Sequence, residues 1–238
     1  MLRFRSKLDA LQGLKPLTEP PPRYAEWIDY CFGRLQRLDG TDIADQRLAC
    51  ETFHVADTEL VPLFEVMMRR SGEDLAPFSD DVVGGGLSLL LDGSLSDFGY
   101  RIRNARVAVE RKVNAISAMH CLYEQVLEPR CPPLLGHLNE TGHARLSYIC
   151  YMLWDVTALA YWPPEDEGEP LPQAVLAVLE RTLDSDNDAV VESGLHGLGH
   201  LATAARRRGI IDRMLARRPD LRPDLKSYAE ACSLGCMQ

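Results

Sequence analysis

Leu171-Pro-Gln-Ala-Val-Leu-Ala-Val-Leu-Glu-Arg-Thr-Leu183, Asp184-Ser-Asp-Asn-Asp188 and Ala189-Val-Val-Glu-Ser-Gly-Leu-His-Gly-Leu-Gly-His-Leu-Ala-Thr-Ala204 form the stretch that decides the fold. Apolar residues recur at helical spacing on both sides of a tight polar turn, so two helices joined by a short connection are expected. A second pair follows at once, Ile210 to Arg217 and Leu221 to Leu234. Two helices cannot bury their apolar stripes alone. Stacked pairs build a continuous core and leave one row of helices lining a groove.

Outward from this stretch the same period dominates. Trp27, Ile28, Cys31, Phe32 and Leu35 make an apolar helical stripe, and Ile43–Phe53 and Thr58–Arg70 read as further helices. Pro62 falls near the start of the latter, where proline is tolerated or kinks the helix slightly. Arg69, Arg70 and Gly72 are a helix stop. Ser79 is the expected N-cap of a helix reaching Leu91, with Asp80 and Asp81 in its first turn. Ser96–Leu127 reads as one or two helices, and Pro129, Pro132 and Pro133 end it. Stripes return at His143–Leu159, Pro172–Leu183, Asp188–Ala204, Gly209–Arg217 and Pro223–Leu234. No segment alternates with period two, so the expected class is all-α, with antiparallel helix pairs stacked as a superhelix. Residues 1–22, closed by Pro20-Pro21-Pro22, form an irregular lead-in, and 23–238 form one domain.

The 238 residues are 46% hydrophobic and 26% charged, the balance of an ordinary globular chain. A net charge of −9 argues against holding nucleic acid by bulk charge. The beginning of the chain is too charged for a signal peptide, and Val82–Leu91 is about half a membrane span, so a cytoplasmic protein with no membrane contact is expected. Its seven cysteines are odd in number and scattered, which reads as reduced, buried thiols.

The pair over 171–236 resembles HEAT repeats: an Asp/Asn turn, then a helix opening Ala-Val-Val-Glu-Ser-Gly-Leu. Thr58-Glu-Leu-Val-Pro-Leu-Phe64 also resembles a helix of that family. The resemblance is fair over 40–112 and poor over 113–170. It implies an α-solenoid with a concave binding surface and usually no catalysis.

Each candidate site also fits an ordinary structural role. His196 and His200 lie within about 40° of each other on one helical face, and Glu192 joins their edge. Two such histidines can chelate zinc, but the sequence offers no third ligand nearby, and Gly197 stands where a metalloprotease needs its glutamate. The expectation is therefore groove lining, with no metal or other cofactor. Gly194, Gly197 and Gly199 weaken the same helix unless a neighbouring helix or a partner approaches closely. Gly84-Gly85-Gly86 lacks the lysine of a phosphate loop and reads as helix packing. Cys232 and Cys236 lack further zinc ligands, and His120 and Cys121 should diverge by about 100° as helix neighbours. Glu165, Asp166, Glu167 and Glu169 crowd one loop, and Asp184, Asp186 and Asp188 crowd the turn one helix away. They suit a solvated rim or an acidic patch for a basic protein, with Trp154, Tyr161 and Trp162 as aromatic anchors.

A small, acidic, bacterial-looking chain without enzyme motifs suits a non-catalytic binding module. The expected function is an immunity protein that neutralises a basic toxin domain, of a class that often acts on nucleic acid. The alternatives are a scaffold or regulatory subunit, and a metal-dependent enzyme built on His196 and His200.

Overall fold

The apolar stripes become helices because each meets another stripe. The computed structural model describes residues 14–37 and 53–235. All but the last residue of the expected helix Ile43–Phe53, the first half of the lead-in, Cys50 and Cys236 lie outside these residues, and Phe53 itself is not helical. Residues 14–22 carry no helix, as the prolines require. The principal helices are α1 (Tyr24–Ile28), α2 (Asp57–Arg69), α3 (Asp80–Leu91), α4 (Phe98–Asn104), α5 (Val109–Ser117), α6 (Arg145–Val156), α7 (Pro170–Thr182), α8 (Asp188–Leu201), α9 (Ala204–Arg217) and α10 (Pro223–Leu234). A π-helical stretch, Asp29–Gly33, prolongs α1, and another, Tyr123–Leu127, lies between α5 and α6. Among the described residues there is no strand, only an isolated bridge between Asp92 and Thr157. No helix there is long and apolar enough to cross a membrane.

Local chemistry sets several ends. The Ser79 hydroxyl accepts from Val82 N–H at 3.3 Å, as its position foretold. Asn187 caps α8 by accepting from Ala189 N–H at 2.9 Å, and its amide donates to the carbonyls of Glu128 and Cys131. Gly235 closes α10 at φ 80°, a left-handed position that suits glycine.

Two ends differ from expectation, and distant groups decide both. The run Ser96–Leu127 breaks after Asn104, where Lys112 Nζ takes the Arg103 carbonyl at 3.0 Å. The helix expected to reach Ala204 stops at Leu201. There Arg207 takes the carbonyls of Gly199 and Ala202, and Glu167 caps the next helix by accepting from Thr203 N–H at 2.6 Å and from its hydroxyl at 3.0 Å. Gly209 therefore lies inside α9 instead of opening it.

The core runs from Trp27, which meets Phe53 and Phe98 edge-on, through Phe64 to Trp154. α2 packs on α5, and α5 on α7. α3 packs on α6, α6 on α8, and α8 on α10. Gly84 and Gly86 bring α3 against its neighbours: a Cβ on Gly84 would sit 2.5 Å from the Arg145 carbonyl carbon, and one on Gly86 2.3 Å from Phe32. The triple glycine is thus a packing feature, as read from the sequence.

Candidate functional site

The glycines of α8 place its neighbours. A Cβ on Gly194 would fall 2.0 Å from Thr182 Oγ1, and one on Gly197 2.5 Å from Leu179 and 2.8 Å from Trp154. Each glycine costs about 1 kcal/mol of helix propensity, offset here by the close approach of α7 and α6. The expected close helix approach is present. α6 and α8 run in the same direction: Cys150 Sγ meets the Ala189 carbonyl at 3.7 Å, and Asp155 meets His200 at 3.7 Å at the other end.

That alignment creates a cluster the sequence did not reveal. One donor atom each from Asp155, His196 and His200 lies within 4.8 Å of the others. The His196 and His200 rings are 4.7 Å apart, and Tyr151 packs 4.5 Å from His196. His196 is buried. Its Nδ1 pairs with the Tyr228 hydroxyl at 2.7 Å, while its Nε2 is buried and has no hydrogen-bond partner. Such an orphan costs about 1–3 kcal/mol. Burial, reinforced by the nearby His200, pushes His196 down to about 4, so the imidazole is neutral at neutral pH. Asp155 and His200 are exposed. Local sequence offers no third ligand for the two histidines; Asp155 stands where one is needed. No spacing joins it to them, because it reaches them across a helix interface.

Glu192 does not share their edge in any useful sense. It is buried and turned the other way, accepting from the Gly136 and His137 N–H groups at 2.7 and 3.0 Å and pairing with His137 Nδ1. Nearly all of α8 is buried, so no open face was left for Glu192 to line. Trp154 is no surface anchor either. It is 1% exposed, and its indole N–H donates to Tyr123 Oη at 2.7 Å. α6 is apolar over most of its circumference, so its pattern did not reveal which residues face inward.

Three tyrosines remain outside: Tyr100 at 49%, Tyr148 at 51% and Tyr161 at 78% exposure. They rim one shallow cleft of about 610 Å³ with Asp92, Ser94 and Asp155. Tyr161 also borders a second groove of about 340 Å³ with Trp162, Asp166, Glu169 and Arg103. Arg103 donates to the Tyr161 carbonyl at 2.5 Å and lies 5.5 Å from the Tyr100 ring. Trp162 is half-buried against the core. The sequence pointed to Tyr161 but not to Tyr100 or Tyr148, which stand alone on otherwise polar faces.

The acidic residues divide by task. Glu165, Asp166 and Glu169 are exposed, whereas Glu167 is spent capping α9. Asp184 pairs with Arg217 at 2.9 Å, and Asp186 is exposed. The two clusters stand at opposite ends of α7. Its 13 residues span about 20 Å, so they do not form one patch.

His120 and Cys121 do meet, Nε2 to Sγ at 3.3 Å, although helix neighbours were expected to diverge. Burial pushes the thiol up and the imidazole down, so this is a neutral pair and no thiolate nucleophile. Cys31, Cys131, Cys150 and Cys232 are buried free thiols; burial pushes Cys232 up to about 12.

Against protein-family models, curated proteins and solved structures, the chain finds no match.

Proposed function

We propose that this chain is a HEAT-like protein-binding module that recognises a basic protein partner through the tyrosine-rimmed face beside α6. The architecture is supported by two files of helix contacts, α2–α5–α7–α9 and α3–α6–α8–α10. It is further supported by bonds at a fixed spacing of 33 residues between α7, with the turn after it, and α9: Gln173 with Arg206, Glu180 with Arg213, and Asp184 with Arg217. A constant offset is what successive repeats of one unit produce.

The observation that carries the functional reading is Tyr161. It is 78% exposed and borders two adjoining grooves, with Tyr100 and Tyr148 in one and Asp166 and Glu169 in the other. Exposed tyrosines combine a large apolar ring with a polar tip, and such residues dominate interface energetics. Carboxylates beside them favour Lys- and Arg-rich partners through charge and cation–π contact. The net charge of −9 steers in the same sense. Within this reading the partner is a basic toxin domain and the chain its cytoplasmic immunity protein, a non-catalytic inhibitor.

The test is capture of the cross-linked partner from source cells by tagged full-length chain, with identification by mass spectrometry. One basic protein should be enriched by the wild type and lost with Tyr161→Ala, at a cost of about 2 kcal/mol or more for an anchor. Reversing Glu165, Asp166 and Glu169 to lysine should slow association at low salt and matter less as salt rises. Glu167 is left intact because it holds Thr203. The captured protein should be toxic when expressed alone and harmless with the chain. Enrichment that Tyr161→Ala leaves unchanged would sink the interface; a captured protein without toxicity would sink the immunity role.

A further inference from the structure

We propose that Asp155, His196 and His200 form a binding site for one divalent first-row transition-metal ion of the zinc class, between the ends of α6 and α8. The inference does not rest on the protein-binding reading.

The donor set is two imidazoles and one carboxylate, a combination that suits zinc and its neighbours better than the hard ions magnesium and calcium. One donor atom from each residue already lies within 4.8 Å of the other two. Around a tetrahedral ion with bonds of about 2.0–2.1 Å, donors sit about 3.4 Å apart. Closing the difference falls to Asp155 and His200, which are exposed and already face each other at 3.7 Å.

The second, independent observation is the His196 ring. It is buried, and its Nε2 has no hydrogen-bond partner, in an interior where such groups are normally satisfied. The Tyr228 hydroxyl, itself hydrogen-bonded to Tyr151, engages Nδ1 and fixes the ring from behind. Metal-ligating histidines are held in this way, with one nitrogen on an outer partner and the other on the ion. When Nδ1 donates to Tyr228, Nε2 presents its lone pair to the other two donors. Three protein ligands leave a further position for water, and the exposure of Asp155 and His200 gives the ion a way in.

The experiment uses the full chain, stripped with a chelator and titrated with zinc by calorimetry and with cobalt by visible absorption. One ion per chain should bind, and cobalt should show the intense bands of four-coordinate geometry. His200→Ala and Asp155→Asn change exposed side chains, and circular dichroism checks that the fold survives. Each should weaken zinc by at least about tenfold. His143→Ala, an exposed histidine elsewhere, should leave binding unchanged. Zinc should raise the unfolding midpoint of the wild type and raise it less for His200→Ala. Absence of binding at micromolar zinc, or equal binding by wild type, His200→Ala and Asp155→Asn, would overturn the site. Tyr161→Ala should keep full zinc binding, so the failure of one reading is separable from failure of the other.

Discussion

Gly194 and Gly209 both lie inside helices, and one added methyl group should act on them in opposite directions. At Gly194 the new Cβ would sit 2.0 Å from Thr182 Oγ1 and 3.1 Å from the Leu179 carbonyl. Thr182 already donates to that carbonyl at 2.8 Å, so moving it also breaks a buried bond. Gly194→Ala should lose about 1–3 kcal/mol of stability despite alanine's better propensity. At Gly209 the nearest atom is the tip of Arg213 at 3.6 Å, and Gly209→Ala should gain about 0.5–1 kcal/mol. Chemical denaturation of the two variants checks both signs. The same logic separates the candidate site residues. Glu192 and Trp154 have their partners inside the protein, so their substitution reports on folding; Tyr161 and His200 do not carry that burden.

The connection from Cys131 to Ala144 contains little regular structure, yet two carboxylates fasten it. Glu192 takes the N–H groups of Gly136 and His137, and Glu140 takes that of Leu135 at 2.7 Å and the Arg222 guanidinium at 2.5 Å. The Arg222 hydrogen bonds, helped by the Leu135 N–H, hold the Glu140 carboxyl below the ordinary value of 4.5. A carboxyl more acidic in the folded state contributes stability that is complete above its unfolded value and is lost as pH falls through the folded one. Arg222→Ala should therefore raise the Glu140 midpoint seen by NMR titration, from below 4.5 in the wild type towards it. A wild-type midpoint at or above 4.5 contradicts this account. These fastenings leave no mark in the local sequence pattern. The bodies of the helices were legible from their stripes, and Ser79 announced its own cap. The ends after Asn104 and Leu201 were not, because Lys112, Arg207 and Glu167 make them from other elements. In the candidate site, His196, His200 and Tyr161 could be picked from local pattern. Asp155 could not, since only the parallel packing of α6 on α8 brings it to the histidines.

Across the whole molecule, one buried carboxylate ties distant segments together. Glu65 on α2 is 0% exposed and accepts from Arg111 on α5 at 3.0 Å, from Arg69 at 3.4 Å and from Leu17 N–H at 2.8 Å. Removing Arg111 leaves this buried charge only Arg69 and the Leu17 N–H as partners. Arg111→Met should therefore cost about 1.5–3 kcal/mol, and the double variant with Glu65→Gln should cost less than Arg111→Met alone. Simple addition of the two single effects would refute that coupling. The same cluster fastens the lead-in: Asn114 donates to the Leu14 carbonyl across 100 positions, and Arg111 reaches that of Lys15. A ribosome makes about 5–20 residues per second, so the segment around Leu14 waits on the order of 5–20 s for the side chain that will hold it. During that interval the core against which Leu17 ends is incomplete. The segment around Leu14 thus stays open to proteases and chaperones until Asn114 has been made, and codon choice between the two sets how long that exposure lasts.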